Sequence, residues 1–356
     1  MWHEKNRNID MKEFVNGLLL ICCIGLLSCG DDEPNADSDP PVLPPVNWTE
    51  DNPISGDITP PNVTLIEGLN EETFPVIDGS DSTQPLRRLL AATLAGGYGC
   101  SWGPSPGDGS RILYFTSKIK TEDLAPIQTL SSKLKENNTH PSYNNLIDGK
   151  VELIICARES SEDEQNYAQE KEVTLIEKPI AYDSFAFLLN RRNKVNNLSH
   201  EQVVAIYSGK ITNWNQVGGD DEPIKAFTRN RNSGSQEKMD KLVMKDTPMI
   251  DVPELRGGSM MAPYLSLEVS FYGIAYSPYY YYLNMSESVK NVKAIAINSV
   301  PPTREHIRDK SYPYVSEVVA VIRSDTPADS YAKKIFDYLT TSDGKKIIEA
   351  SGYVAN

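Results

Sequence analysis

Short hydrophobic runs of strand length alternate along this chain with longer runs that carry apolar side chains on one helical face. Strand-like runs include Val151–Cys156, Phe185–Leu189 and Glu317–Ile322. Helix-like runs follow Ser199, a residue type that caps helices, and Asp329. Because strands and helices that alternate in this way cover a sheet on both faces, the pattern predicts an α/β fold of mixed sheets flanked by helices.

Two turns rich in hydroxyl side chains each lie between a strand-like run and the start of a helix-like run. The first is Gly79–Thr83, followed by Pro85 in the first turn of a leucine-rich helix. The second is Thr228–Gln236, with the sequence TRNRNSGSQ. Such a turn exposes backbone N–H groups, and the helix dipole adds partial positive charge there. The pair therefore predicts two lobes that hold one small tetrahedral anion between them.

The second turn supplies four candidate ligands for this anion: Arg229, Ser233, Gly234 and Ser235. The guanidinium of Arg229 offers a planar pair of donors to an oxyanion, and the two serines add hydroxyl donors. Gly234 lets the backbone approach a ligand closely. An isolated arginine would more often form a surface salt bridge, but the adjoining Ser-Gly-Ser helix start favours the anion site.

The first turn supplies four more candidates: Ser80, Asp81, Ser82 and Thr83. The alternative is a purely structural role, in which Ser82 and Thr83 are ordinary helix caps and Asp81 is a turn residue. Both interpretations stay open at the level of the sequence.

The N-terminal 28 residues have the pattern of an export signal. Lys12 precedes an apolar core, Val15–Leu27, which is too short for a bilayer-spanning helix. Ser28 and Cys29 then resemble the lipobox of bacterial lipoproteins, which implies that Cys29 carries a lipid anchor. The alternative is an ordinary signal peptide in which Cys29 is accidental.

Residues 29–61 are rich in Asp, Asn, Ser and Pro and poor in large apolar side chains. Such a composition cannot bury enough surface to offset the entropy of ordering. We therefore expect a disordered tether that holds the folded part away from a membrane. The protein is then a lipoprotein of the cell envelope, periplasmic or anchored in the outer membrane, and its exposure at the cell surface stays open.

The formal net charge of −14 at pH 7 excludes whole classes of partner. A strongly acidic surface argues against nucleic acid and anionic lipid. It also repels anionic ligands at long range, so an anion site here must work through local dipoles and hydrogen bonds in a narrow, desolvated pocket.

The sequence gives little indication of metal, cofactor or catalytic chemistry. The four histidines are scattered without metal-ligand spacing, and no nucleotide loop or nucleophile elbow is present. We therefore expect no metal, no cofactor and no enzyme activity. Cys100 and Cys156 remain after the signal and anchor are set aside, and they are either a disulfide or two buried thiols.

The stretch Pro179–Met239 resembles the phosphate-binding component of bacterial ABC uptake systems, and so does Val76–Leu86. The blocks YSGKITNW and RNRNSGSQ carry most of this similarity. The resemblance implies a two-lobed periplasmic-binding-protein fold of type II, in which the chain crosses twice between lobes. Lobe one then comprises residues 62–177 plus 277–356, and lobe two comprises residues 178–276.

The resemblance also implies roles for the candidate residues. Arg229, the Ser-Gly-Ser run and the first turn hold the phosphate oxygens, and a carboxylate accepts the proton of hydrogen phosphate. A carboxylate beside an anion repels it unless the ligand shares a proton, which favours phosphate over sulfate. The chain has Arg158 and Glu159 near the position where the family's aspartate is expected, so the carboxylate is Glu159 or Asp81, or neither residue has this role.

The function implied is delivery of inorganic phosphate, or a similar oxyanion, to an ABC permease by a monomeric receptor. One alternative is a surface sensor or interaction protein that keeps the fold without transport. A second is a hydrolase that releases phosphate on this scaffold. The tyrosine run Tyr279–Tyr282 is either packing at the lobe junction or an aromatic platform for a sugar.

Overall fold

The computed structural model describes residues 41–116, 120–286 and 290–356. The predicted signal peptide (1–28), the candidate anchor Cys29 and the first part of the predicted tether lie outside these residues.

The described chain alternates strands and helices, as the hydrophobic pattern predicts. The strands are β1 (Asp57–Ile58), β2 (Ile77–Gly79), β3 (Cys100–Pro104), β4 (Arg111–Phe115), β5 (Leu153–Cys156), β6 (Leu175–Asn190), β7 (Asn197–Leu198), β8 (Lys225–Ala226), β9 (Thr228–Arg229), β10 (Arg256–Gly257), β11 (Gly273–Pro278), β12 (Val292–Ala294), β13 (Ala296–Ile297), β14 (Val315–Arg323) and β15 (Val354–Ala355). The α-helices are α1 (Gln84–Ala95), α2 (Leu124–Lys133), α3 (Thr139–Ile147), α4 (Glu162–Glu170), α5 (His200–Tyr207), α6 (Gly234–Lys238), α7 (Ala262–Val269), α8 (Arg304–Arg308), α9 (Tyr331–Tyr338) and α10 (Ser342–Ser351).

One long strand, β6, connects the two halves of the main sheet, whose strand order is β2-β5-β14-β6-β11-β8. The first half of β6 pairs antiparallel with β14, and its second half pairs with β11 and β12. The second half is buried on both faces, which explains its continuous apolar run, Phe185–Leu189. The single strand β6 thus belongs to both halves of the main sheet.

Two large hydrophobic clusters pack against β6 where it passes between the two halves of the main sheet. The second is built on aromatic rings, with Phe185 and Tyr276 ring centroids 5.2 Å apart and Phe187 packed edge-on to Tyr314. The first covers α1, α9 and α10, and it also takes in Tyr264 and other side chains of α7, from predicted lobe two. The lobe boundaries therefore stay a prediction.

Residues 41–58, which we call the N-terminal strap, lie along the folded body. The Pro41 carbonyl accepts a hydrogen bond of 2.8 Å from Gln202 Nε2, and the Pro44 carbonyl accepts one of 3.1 Å from Asn197 Nδ2. Further on, β1 pairs antiparallel with β3. The strap therefore contacts the body along its length.

Two carboxylates of the strap bind the tyrosine run. Glu50 accepts a hydrogen bond of 2.7 Å from the Tyr282 hydroxyl, and Asp51 accepts one of 3.1 Å from the Tyr279 hydroxyl. Asp51 also accepts a 2.7 Å bond from the backbone N–H of Arg304. These contacts favour the packing interpretation of the tyrosine run over a sugar platform.

The structure therefore differs from the predicted disordered tether over residues 41–58, which are bound to the body. The prediction of disorder rests on amino-acid composition, which shows only that this segment is polar and prefers water on average. The polar atoms of the strap, however, meet donors contributed by elements far away in sequence, which no local count can register.

Within the described residues, Cys100 and Cys156 are both free and buried, so the two-thiol alternative holds and the disulfide does not. Burial raises the pKa of each thiol to about 12. No helix in this part of the chain is long and apolar enough to cross a membrane.

Candidate functional site

The first hydroxyl-rich turn begins where β2 ends beside the parallel strand β5. At Gly79 a Cβ atom would lie 2.0 Å from the Ile155 carbonyl oxygen, so only glycine fits this close approach. Ser80 then shares a hydrogen bond of 2.7 Å with the Thr139 hydroxyl and accepts a 3.0 Å bond from the Ala157 N–H. The turn is thereby tied both to the start of α3 and to the end of β5.

The Thr83 hydroxyl serves the turn itself. It donates to the Ile155 carbonyl at 2.6 Å and lies 2.9 Å from the Ser80 carbonyl, and it makes no cap hydrogen bond to the start of α1. Thr83 is therefore the residue that fixes the turn against β5, and it does not line the cavity between the two turns.

The second hydroxyl-rich turn connects β9 to α6. Ser233 caps α6, because its hydroxyl accepts a 3.1 Å hydrogen bond from the Gln236 N–H. Arg229 is only 5% exposed; its Nε donates to the Gly257 carbonyl at 3.1 Å, and its backbone N–H donates to the Tyr276 hydroxyl at 3.0 Å. Burial lowers the pKa of Arg229 from its ordinary value, although the guanidinium stays charged.

The two turns face each other across a cavity of about 30 Å³, which we call the anion cavity after the ligand that the sequence predicts for it. The predicted residues that line it are Ser80, Asp81, Ser82, Arg229, Ser233, Gly234 and Ser235. The turns are close: a Cβ atom at Gly234 would lie 2.8 Å from the Thr139 hydroxyl oxygen. The structure therefore brings both predicted turns to one small cavity, whose volume suits an ion of a few atoms rather than a large organic solute.

The structure does not bring Glu159 to this cavity. Ala157 lines the anion cavity, whereas Arg158 and Glu159 line a neighbouring cavity of about 310 Å³. The reason is local: the Ser80 hydroxyl holds the Ala157 N–H, and Arg158 turns away to form a bidentate pair with the buried Glu164, at 2.7 Å for each bond. Of the two candidate carboxylates, only Asp81 lines the anion cavity.

Asp81 sits in an unusual electrostatic setting. Burial raises the pKa of its carboxyl to about 6, although the positive charges of Arg87 and Arg229 act in the opposite direction. The Asp81 carboxyl is therefore mostly ionised at neutral pH, but it takes up a proton at a higher pH than an ordinary aspartate does.

Six residues that line the cavity were missed by sequence reasoning: Asn138, Thr139, Ala157, Lys238, Met260 and Pro278. Asn138 and Thr139 stand at the start of α3, so they form a third hydroxyl and amide helix start that the same criterion would have found. Lys238 lies inside a helical pattern, where no local signal marks it.

These features are typical of one class of protein: an α/β binding protein with a small cavity between two opposed, hydroxyl-rich turns. The model of the PBP superfamily domain matches residues 107–343, and the chain belongs to this superfamily of substrate-binding transport proteins.

Curated relatives and solved structures agree with this assignment. The chain is 25% identical over 278 residues to the phosphate-binding protein PstS of Staphylococcus aureus strain USA300, covering 75% of this chain and 84% of the relative. It is 26% identical over 262 residues to PstS of Staphylococcus haemolyticus, covering 71% and 81%.

Two solved structures share the fold. A putative phosphate ABC transporter substrate-binding protein from Clostridium perfringens, with bound phosphate, has a TM-score of 0.56 at 21% identity and covers 79% of this chain and 98% of that one. An ABC-type phosphate transport receptor from Vibrio cholerae has a TM-score of 0.53 at 24% identity and covers 78% and 98%. The predicted α/β, two-lobed periplasmic-binding-protein fold is confirmed.

Proposed function

We propose that this protein is an extracytoplasmic receptor that binds inorganic phosphate between two lobes and delivers it to an ABC permease. The observation that carries the proposal is the small cavity in which Arg229 faces the hydroxyl-rich turn at Ser80. The relatives in Staphylococcus, which are phosphate-binding proteins PstS, indicate the ligand. Affinity comes from charge-assisted hydrogen bonds in a cleft that excludes water.

In this proposal the serines, Gly234 and Arg229 hold the phosphate oxygens, and the lobes close around the ion by a hinge at the crossing strands. The receptor binds and releases its ligand without chemical change. The hydroxyls around the cavity act as donors to the anion, and none of the described residues that line it is a histidine, the usual base for a serine nucleophile. A surface sensor with the same site is the second candidate, and transport-deficient growth on limiting phosphate after deletion of the gene would decide against it.

A thermal-shift panel of oxyanions on the chain without its first 40 residues tests the ligand. A ligand at about a hundred times its dissociation constant adds about 2.7 kcal/mol of stability. We expect phosphate to stabilise the protein far more than sulfate at equal concentration. Equal shifts for all oxyanions, or none for phosphate, would refute the proposal.

We expect the variant Asp81→Asn to lose discrimination between phosphate and sulfate. An amide does not repel an anion without a proton, so sulfate should gain affinity relative to phosphate by about tenfold, or about 1.4 kcal/mol. The Glu159→Gln variant is the matched control, because Glu159 does not line the cavity. Isothermal titration with both anions measures the ratio, and an unchanged ratio in Asp81→Asn would assign selectivity elsewhere.

We further propose that the mature protein is a lipoprotein anchored through Cys29, in keeping with the extracytoplasmic location of phosphate receptors of ABC systems. The support is the apolar signal core followed by Ser28 and Cys29. Cys29→Ala should move the protein from the membrane fraction to the soluble fraction of lysed cells. Retention in the membrane fraction would contradict the anchor.

A further inference from the structure

A buried lysine lies where the anion cavity meets the neighbouring cavity. Lys238 is the last residue of α6, one helical turn after Ser235, and its side chain lines both cavities. It is only 3% exposed. A lysine in such a position is unusual, because burying an ammonium group is costly unless a partner compensates its charge.

Within the described residues, the hydrogen-bond partner of the Lys238 ammonium is neutral. Its Nζ donates to the Ser316 hydroxyl of β14 at 2.8 Å. The carboxylate that attracts it most is that of Asp183 on β6, which is 2% exposed. Asp183 already accepts two backbone N–H bonds at Oδ1, from Ser184 at 2.7 Å and Tyr280 at 3.0 Å. The Asp183 carboxylate therefore compensates the positive charge of Lys238 through space, without a direct hydrogen bond between the two side chains.

We propose that Lys238 is a second cationic ligand of the anion, acting with Arg229 on the same bound ion. This inference rests on the proposed function, since it assigns a further residue to that site. Its basis is geometric: Lys238 and Arg229 line one cavity of about 30 Å³ and belong to the two ends of a single strand-turn-helix unit, β9 to α6. In this proposal the Lys238 ammonium, which donates to Ser316 beside the neighbouring cavity, turns to the ion that Arg229 binds.

The charge balance of the cavity supports this assignment. Arg229 and Lys238 bring two positive charges, whereas Asp81 is the single carboxylate among the described residues that line the cavity. Two cations outweigh one carboxylate, and a bound oxyanion would neutralise the excess positive charge. The lining of the cavity is thus suited to an anion, despite the net negative charge of the chain.

Binding should then be linked to protonation of Lys238. Burial lowers the pKa of Lys238 to about 8; Asp183 opposes this effect and Arg158 adds to it. Other charged groups face the lysine from the neighbouring cavity: Glu159, Glu237, Lys241 and Glu317. A bound dianion favours the ammonium form and raises its pKa again, so phosphate affinity should fall as pH rises above about 8, with uptake of a proton on binding.

The test is isothermal titration of phosphate into the wild type and three variants at pH values below and above 8. Lys238→Met keeps most of the side-chain volume and removes the charge, so affinity should fall at least tenfold below pH 8. Its further decline at alkaline pH should be lost. Lys238→Arg should keep affinity at alkaline pH, because a guanidinium does not titrate there. Lys241→Met is the matched control, since Lys241 lines the neighbouring cavity alone and donates to the Ser160 carbonyl at 3.3 Å.

The results of these titrations distinguish a failure of this inference from a failure of the proposed function. If Lys238→Met binds phosphate as tightly as the wild type, with the same pH profile, the inference fails while the proposed function stands. If the wild type binds no phosphate, the proposed function fails first. If Lys238→Met does not fold, titration of the wild type in two buffers of different ionisation enthalpy still decides, because absence of proton uptake above pH 8 would overturn the assignment.

Discussion

Replacing Arg229 with alanine is expected to weaken phosphate binding by about 2–5 kcal/mol, the range found when one partner of a buried charge pair is removed. Arg229 is 5% exposed and lines the anion cavity, so water cannot replace the lost guanidinium without entering the cleft. Its Nε contact to the Gly257 carbonyl orients the rest of the fork toward the cavity. The effect should appear in the dissociation constant measured by isothermal titration.

The matched control is Arg231→Ala, two residues along the same turn. The Arg231 side chain is 87% exposed, and its contact with Asp163 is long, at 3.7 Å. Exposed ion pairs contribute about 0–1 kcal/mol, so this variant should bind phosphate almost as the wild type does. Equal losses in both variants would mean that the turn acts through its overall charge, and an unchanged Arg229→Ala would show that the site is assigned wrongly.

Replacing Gly234 with alanine is expected to weaken binding by about 1–3 kcal/mol, the usual cost of adding atoms to a closely packed contact. The new Cβ would lie 2.8 Å from the Thr139 hydroxyl oxygen, which itself is hydrogen-bonded to Ser80. The two turns must therefore move apart, and each hydrogen bond to the anion lengthens. Because binding depends on closure, the loss should appear mainly as faster phosphate release in stopped-flow measurements.

Gly258→Ala controls for the general effect of a glycine substitution. A Cβ at Gly258 would meet nothing within 4 Å, and neither glycine has a left-handed backbone that would strain a side chain. This variant should release phosphate at the wild-type rate. If Gly234→Ala also does so, the contact between Thr139 and the second turn is not part of the closed, ligand-holding state.

Sequence reasoning identified residues that line the cavity where they belong to one local element. The second turn is one continuous stretch in which strand, turn and helix start follow each other, so Arg229 and the Ser-Gly-Ser run were recognisable together. The cap at Ser199 is of the same kind, and its hydroxyl accepts the Gln202 N–H at 3.1 Å. Capping and turn formation depend on neighbours within a few residues, which a sequence displays directly.

Sequence reasoning failed where an element depends on distant partners. Glu159 is close in sequence to the residue that lines the cavity, but the pair between Arg158 and Glu164 turns this part of the chain away. The composition of the strap predicts disorder. In the structure its acceptors are paired with donors such as the Tyr279 and Tyr282 hydroxyls, which lie more than two hundred residues away in the sequence.

The amino-acid sequence by itself determined the α/β alternation, the two hydroxyl-rich turns and the membership in a family of substrate-binding proteins, since these rest on periodicity and local backbone chemistry. Only the tertiary structure decided which carboxylate lines the cavity, that Thr139 and Lys238 join it, and that residues 41–58 bind the body. The physical reason is that a buried charge or hydroxyl takes its role from the groups that surround it, and those groups come from strands and helices far apart in the chain.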